Sequence, residues 1–302
     1  MYDIIVIGGG PAGMTAAIYA RRASKTVLVL EAVACGGQII NTPDIENYPV
    51  MAHVSGYEFS EKVYEQAKGL GAEFLFEKAV GIREEAGAKT VVTDKGEHSA
   101  KAVIIATGSA SRKLGVEGEN ELIGRGISYC ATCDGNFYRN KTAAVVGGGN
   151  TALEDALYLS DIAEKVYLIH RREAFRGEET TVERLKEKGN VEIVYNSTVT
   201  KLIAEKRLKA IEVTDKLDGS VRTIELKGLF VAIGRVPENA NFGKIVDLDE
   251  AGYIIAGEDC HTKAEGVFVA GDNRTKALRQ LVTATADGAM AATEAVKYIN
   301  NL

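Results

Sequence analysis

Two cysteines separated by two residues, Cys130 and Cys133, are followed directly by an acid, Asp134. At that spacing the sulfurs can meet in one small ring. Such a pair often has one thiol of lowered pKa, ready for exchange. Exchange needs a thiolate to attack and a proton for the sulfur that leaves. Asp134 is placed to handle that proton if partial burial raises its carboxyl. The plainer reading of Asp134 is a turn residue ahead of Gly135. The competing reading of the pair is half a zinc site. Zinc normally takes four ligands, commonly from two such knuckles, and the other cysteines, Cys35 and Cys260, are lone and far apart. Those two read as small buried apolar residues. None of the four histidines, His53, His98, His170 and His261, lies near the pair in sequence.

A second chemistry is spelled in glycine, and it is spelled twice. Ile5-Val6-Ile7-Gly8-Gly9-Gly10-Pro11-Ala12-Gly13 returns 139 residues later as Ala144-Val145-Val146-Gly147-Gly148-Gly149-Asn150-Thr151-Ala152. At the same offset Val27-Leu28-Val29-Leu30 falls on Val166-Tyr167-Leu168-Ile169, and Glu31 falls on His170. Each copy reads as strand, glycine turn, alanine-rich helix, strand, with a polar residue at the end. That context makes the pattern a dinucleotide fingerprint rather than a chance glycine turn. Gly8 permits the tight turn, Gly10 lets a pyrophosphate approach the backbone, and Gly13 lets helix and strand pack closely. The helix amino end then stabilises phosphate charge, and Glu31 can accept hydrogen bonds from a ribose. The second copy has no acid at that place. It has His170-Arg171-Arg172 and then Arg176. A carboxylate would repel a 2′-phosphate, whereas guanidinium groups bind one bidentately. Residues Gly147, Gly149, Asn150, Thr151, His170, Arg171, Arg172 and Arg176 therefore predict NADP(H) in the second copy. The first copy is read as taking a dinucleotide with a free ribose, FAD or NAD.

These motifs must be carried by α/β elements. A further echo, Val103-Ile104-Ile105-Ala106-Thr107-Gly108 against Leu229-Phe230-Val231-Ala232-Ile233-Gly234, adds one apolar strand to each copy. A last strand, Gly266-Val267-Phe268-Val269-Ala270-Gly271-Asp272, lies near the carboxyl end. The pattern predicts two Rossmann-like dinucleotide-binding domains, the second inserted into the first. The outer domain is expected over 1–110 and 236–302, and the inserted one, carrying the cysteine pair, over 111–235. The crossings contain small polar residues or proline, as linkers do.

Composition narrows the remaining classes. Lys+Arg is 36 and Asp+Glu is 42, for a formal net charge of −6, which argues against a broad basic surface for nucleic acid or anionic lipid. Hydrophobic residues at 46% and charged residues at 26% are those of an ordinary globular chain rather than a disordered one. No apolar run approaches the roughly 18 residues of a membrane span. Asp3 stands where a signal peptide needs positive charge, so a cytoplasmic location is expected. In that compartment a C-x-x-C points to redox chemistry or metal rather than to a structural staple.

Taken in order along essentially the whole chain, these motifs resemble the low-molecular-weight thioredoxin reductases, a flavoprotein family. The residues that carry the resemblance are Gly8-Gly9-Gly10-Pro11-Ala12-Gly13, Gly36-Gly37-Gln38, Cys130-Ala131-Thr132-Cys133-Asp134, Gly147-Gly148-Gly149, His170-Arg171-Arg172 with Arg176, and Gly271-Asp272 followed by Arg279-Gln280. The resemblance implies FAD in the outer domain, NADPH in the inserted one, a homodimer, and a thioredoxin-like protein substrate. It implies that Glu31, Gly37, Gln38 and Asn47 contact FAD, that Asp272 binds the ribitol side, and that Arg279 and Gln280 lie by the ring. A helix pattern from Leu278 onward would put a positive amino end near reduced flavin. By the same resemblance Cys133 faces the flavin, Cys130 attacks the partner disulfide, and Asp134 moves the proton. It also implies a rotation of the inserted domain, so that cysteines and nicotinamide can reach one flavin in turn. Asn150-Thr151, Arg235 and Asn136 depart from residues frequent in the family. Arg125 and Phe137 are the candidate partner contacts.

The alternative reading on the same scaffold is a flavin-dependent NADPH reductase of another electron carrier, of ferredoxin or flavodoxin type, with a bystander cysteine pair. The acid beside Cys133 argues against it. His170-Arg171-Arg172 argues against an oxidase that uses no pyridine nucleotide. A non-enzymatic nucleotide sensor is the third class. The larger glutathione-reductase type is set aside, because Cys35 is alone near the first loop and the chain's end lacks a histidine-acid pair.

Overall fold

Why the first glycine run sits in a turn is visible in the strand before it. Ile4, Ile5 and Val6 are fully buried, so both faces of that strand are covered, as parallel sheets require. The computed structural model describes residues 1–42, 44–51, 53–85 and 87–302. It divides into one unit of Met1–Ala110 with Val236–Leu302 and a second of Ser111–Arg235.

In the first unit the order is β1 (Tyr2–Ile7), α1 (Pro11–Arg22), β2 (Val27–Glu31), α2 (Gly56–Gly69), β3 (Glu73–Phe76), β4 (Ala79–Glu85), β5 (Ala88–Thr93) and β6 (Glu97–Ile105). Strands β3, β2, β1 and β6 lie side by side and parallel. The long β6 serves two neighbours. Its beginning pairs antiparallel with β5, and its end, Val103–Ile105, pairs parallel with Val267–Val269. Helix α1 covers one face of the sheet through Ala12, Ala16, Ala17 and Ala20. Its alanines allow close approach by the carboxyl-terminal helix Leu281–Asn300, where a Cβ on Gly288 would lie 2.2 Å from the Ala12 carbonyl oxygen. That helix starts at Leu281, with Gln280 as its cap, and not at Leu278, which is exposed. The Gln280–Thr283 capping pair fixes the start.

The second unit repeats the arrangement. Strands Val191–Val194, Lys165–Ile169, Thr142–Gly147, Gly228–Ala232 and Ile127–Ser128 form one parallel sheet in that order. Helix Asn150–Ser160 follows the glycine turn, and a three-stranded antiparallel meander (Ser197–Ala204, Leu208–Asp215, Val221–Glu225) completes the unit. The echoed strands take equivalent places: β6 pairs with β1, and Gly228–Ala232 pairs with Thr142–Gly147, both in parallel. Among the described residues no helix is long and apolar enough to cross a membrane.

Cys260 is buried, as its small apolar reading requires, but Cys35 is only half-buried, which corrects that reading. Cys35 sits on the open side of the first glycine turn, its sulfur 2.9 Å from where a Cβ on Gly9 would stand. Burial, then the Glu31 charge, pushes its thiol up to about 11. Burial, then Asp287, pushes that of Cys260 up to about 12. Neither is a ready thiolate at neutral pH.

Candidate active site

The cysteines form a disulfide, Cys130–Cys133, in a one-turn helix, Ala131–Asp134, for which Cys130 is the cap. The turn follows directly on the edge strand Ile127–Ser128. Two small residues seat it: Ala131 is fully buried, and a Cβ on Gly135 would lie 2.6 Å from the Tyr158 ring on helix Asn150–Ser160. The cysteine turn therefore packs on the helix that begins at the second glycine loop. Cys130 and Cys133 remain partly accessible. The Cys130 sulfur is 3.4 Å from the Thr132 hydroxyl.

Asp134 lies beneath this turn. Burial pushes its carboxyl above the usual carboxylate range, and a hydrogen bond from Ser128 partly opposes that. Ser128 Oγ donates to Asp134 Oδ2 at 2.6 Å and accepts from the Cys130 N–H at 3.1 Å. Asp134 Oδ1 is buried with no hydrogen-bond partner among the described residues. A raised, half-satisfied carboxyl next to exchanging sulfurs is suited to holding a proton. Ser128 is a site residue that the sequence did not flag. Its only signal was a hydroxyl two residues before the first cysteine.

The two glycine loops offer the same cradle. Gly10 and Gly149 cap their helices with φ of −77° and −101° and extended ψ, backbone that any residue can adopt. An added Cβ would meet only Gly37 Cα, at 3.9 Å, at the first, and nothing within 4 Å at the second. The protein itself gives no reason for glycine at either place, whereas a pyrophosphate seated on the helix end does. The chemistry fits as well, because the first amides of a helix point outward from its amino terminus with no earlier helical carbonyl to take them. Gly36 N–H donates to Gly9 O, which brings the Gly36-Gly37-Gln38 loop against the first turn. Glu31 ends β2 below it, accepting from the Gly9 and Val33 amides at 2.7 and 3.0 Å. Asn47 Nδ2 donates to Gln280 Oε1 at 3.1 Å, joining two candidate residues far apart in sequence.

Arg279 is half-buried, its guanidinium 4.1 Å from the centre of the Tyr253 ring. It donates to the carbonyl oxygens of Asp272 and Arg274, so it braces the Gly271-Asp272 turn from below. A second brace was not read from the sequence. Asp287, on the carboxyl-terminal helix, accepts from the Gly271 amide at 2.9 Å, from both Nε and Nη2 of Arg274, and from Lys276. Burial alone would raise this carboxyl, but Arg274 and Lys276 hold it below the usual range. Its acid two helical turns past the cap was the available signal.

At the second loop the polar residues divide into two groups. Arg171, Arg172 and Arg176 are exposed, and their guanidinium groups make no ion pair among the described residues. His170 is 5% exposed, with Nε2 2.9 Å from the Ala174 carbonyl and its ring stacked on Phe175. Burial lowers its pKa, so it is a neutral packing group under the loop. The Arg176 amide donates to Gly148 O, which draws the arginine segment to the glycine turn. Asn150 Oδ1 is taken by the Glu178 amide at 2.8 Å, and Thr151 is exposed beside it. Arg125 and Phe137, the candidate partner contacts, are both exposed.

The sequence profile of the pyridine nucleotide-disulphide oxidoreductases matches residues 2–288. The thioredoxin reductases of Listeria innocua and Bacillus subtilis are each 41% identical over 303 residues, covering all of this chain and 95% and 96% of their own. The solved structure of thioredoxin reductase from Streptococcus pyogenes is 38% identical with a TM-score of 0.95, covering 100% of this chain and 99% of that one. That from Giardia duodenalis is 35% identical with a TM-score of 0.93, covering 99% of both chains.

Proposed function

The chain belongs to the thioredoxin reductases, within the pyridine nucleotide-disulphide oxidoreductases, and we infer from that premise that it reduces the disulfide of thioredoxin with NADPH. FAD and NADPH are its cofactors, and the Cys130–Cys133 pair is its redox-active disulfide. The single observation that carries the reading is that disulfide, closed in a helix turn over a buried, half-satisfied acid. When bound, FAD supplies a two-electron relay between nicotinamide and disulfide.

The roles of the residues follow from their chemistry. Gly8, Gly10 and Gly13 with the start of α1 hold the FAD pyrophosphate, and Glu31 accepts from its ribose. Gly37, Gln38 and Asn47 line the same group, Asp272 takes the ribitol side, and Arg279 and Gln280 stand by the ring. Gly147 and Gly149, with Asn150 and Thr151 at the helix start, hold the NADPH pyrophosphate. Arg171, Arg172 and Arg176 bind the 2′-phosphate, and His170 shapes the loop that presents them. In the reduced enzyme the Cys130 thiolate attacks one sulfur of thioredoxin's disulfide, and the other thioredoxin sulfur leaves. Cys133 then attacks Cys130, closing the enzyme disulfide and releasing the second thioredoxin sulfur. Asp134 holds and transfers a proton needed by a leaving sulfur. Arg125 and Phe137 contact thioredoxin, the enzyme works as a homodimer, and its location is cytoplasmic.

The test is the double variant Cys130→Ser with Cys133→Ser. NADPH still bleaches its flavin, but turnover of oxidised thioredoxin is lost. Retained turnover would refute the assignment and favour a reductase whose electrons leave directly from the flavin.

A further inference from the structure

Ser128 is 4% exposed and sits on the edge strand paired with Gly228–Ala232, two residues before the attacking cysteine. Its hydroxyl has one proton to give. Asp134 Oδ2 at 2.6 Å is a nearer acceptor than the Cys130 carbonyl oxygen at 3.3 Å. The Cys130 amide, donating to Ser128 Oγ at 3.1 Å, occupies one side of that oxygen and fixes which way the proton points. Oδ2 is thereby committed as an acceptor, while Oδ1 is buried and has no partner among the described residues. We propose that Ser128 is a positioning residue for the proton step, clamping Asp134 through Oδ2 so that the transferable proton is carried on Oδ1. The proposal rests on the reading of Asp134 as the proton carrier.

The clamp has a second consequence. When Asp134 gives its proton to a leaving sulfur, that sulfur becomes a thiol and the carboxyl becomes a buried carboxylate. The Ser128 hydrogen bond is then charge-assisted and stronger. Ser128 thus stabilises the state left behind and keeps a buried acid able to release its proton. Without the hydroxyl, the carboxylate loses the Ser128 donor at Oδ2 and Asp134 becomes a weaker acid. The clamp also links acid and nucleophile, because the Cys130 amide and Asp134 share one oxygen.

Other ionisable side chains lie around the turn. They are the reduced Cys130 and Cys133 thiols, the Tyr138 phenol, which burial and the Asp134 charge hold high while Arg207 opposes them, and Tyr158 and Asp155 on the packed helix. Asp155→Asn therefore serves as the background in which the Asp134 limb is read. The measurement is the rate of flavin reoxidation by oxidised thioredoxin in the NADPH-reduced holoenzyme, followed by stopped flow from about pH 5 to 10. Ser128→Ala is expected to move the midpoint of the Asp134-dependent limb upward by about one pH unit, the loss of one hydrogen bond to a charged group. Ser128→Thr restores it. Ser128→Cys, a near-isostere with a poor donor, moves it as alanine does, which keeps the test intact if alanine disturbs packing. Infrared difference spectra should show the carboxylic C=O band, assigned by its loss in Asp134→Asn, persisting to higher pH in Ser128→Ala. A wild-type midpoint in both Ser128→Ala and Ser128→Cys, with the limb absent in Asp134→Asn, overturns the Ser128 role alone. A limb that survives unchanged in Asp134→Asn overturns the Asp134 reading, and the Ser128 role with it.

Discussion

A Cβ on Gly8 would lie 2.3 Å from the carbonyl oxygen of Ala106, and one on Gly147 would lie 2.3 Å from that of Ala232. The two turns are the same object, each pressed against the end of the neighbouring parallel strand. They differ one helical turn later. A Cβ on Gly13 would lie 1.9 Å from the Gly8 oxygen, whereas the equivalent Ala152 carries a real Cβ. Three residues further, Ala16 of the first helix is replaced by Asp155 in the second, and both are buried. The first turn is packed for close contact with a neighbouring helix, while the second carries a buried carboxyl and an exposed arginine cluster. What the two share is a glycine turn packed against the neighbouring strand, and what they vary is the helix behind the turn and the side chains beside it.

The sharpest way to break the equivalence is an exchange at the third position. Gly13→Ala forces a methyl into a backbone oxygen that cannot move away, and should cost more than about 4 kcal/mol of stability with loss of flavin. Ala152→Gly removes a methyl from a site that tolerates one and should cost about 1 kcal/mol. Denaturant unfolding and flavin content check both. Equal, small losses would mean the two helices approach their turns alike.

The next effect depends on pH. Burial pushes Asp155 up from 3.8 to about 7, and its carboxyl has no hydrogen bond among the described residues. The folded chain keeps a proton that the unfolded chain releases across that window. Stability is therefore lost as pH rises from the unfolded value through the folded one, by at most about 4 kcal/mol. Asp155→Asn should raise the melting temperature at about pH 8 and leave it unchanged near pH 4. A pH-independent shift would show that Asp155 is ionised at no cost.

The exposed arginines should produce a smaller, chemical difference. Arg171→Ala with Arg172→Ala should reduce the preference for NADPH over NADH by about 3 kcal/mol, on the order of 100-fold in kcat/KM. Flavin content and melting temperature should hold, since neither guanidinium supports the fold. Unchanged selectivity in steady-state kinetics would remove the 2′-phosphate reading.

What the sequence could show was whatever is written as local spacing. Both glycine turns, the strands behind them and the C-x-x-C pair are local patterns, and an internal repeat makes each glycine copy a check on the other. The helix start at Leu281 was missed because Gln280 and Thr283 form the cap by side-chain reciprocity, which alanine-rich periodicity does not reveal. Ser128 and Asp287 were missed for a different reason. Each acts by accepting or donating across a fold-dependent contact, Asp287 to a glycine amide 16 residues before it, and a lone serine or aspartate has no period. Cys35 read as buried because isolated cysteines usually are, but it lies in the turn after β2, beside Gly9, and is only half-buried.

The smallest effect isolates the ligand from the fold. At Gly149 an added methyl meets nothing within 4 Å, and φ −101° with ψ 179° is open to alanine. Gly149→Ala therefore leaves only the difference between glycine and alanine as a helix cap, about 1 kcal/mol or less. If a pyrophosphate lies against that backbone, the methyl occupies its space, and KM for NADPH should rise about tenfold, or about 1.4 kcal/mol. Gly10→Ala is the paired experiment, with φ −77° and only Gly37 Cα near, and it should weaken flavin retention instead. The two variants then separate the cofactors by turn. Raised KM without flavin loss in one, and flavin loss without selective change in KM in the other, is the pattern that two like cradles with different occupants must give. An unchanged KM in Gly149→Ala would mean that the second turn keeps its glycine for no contact at all.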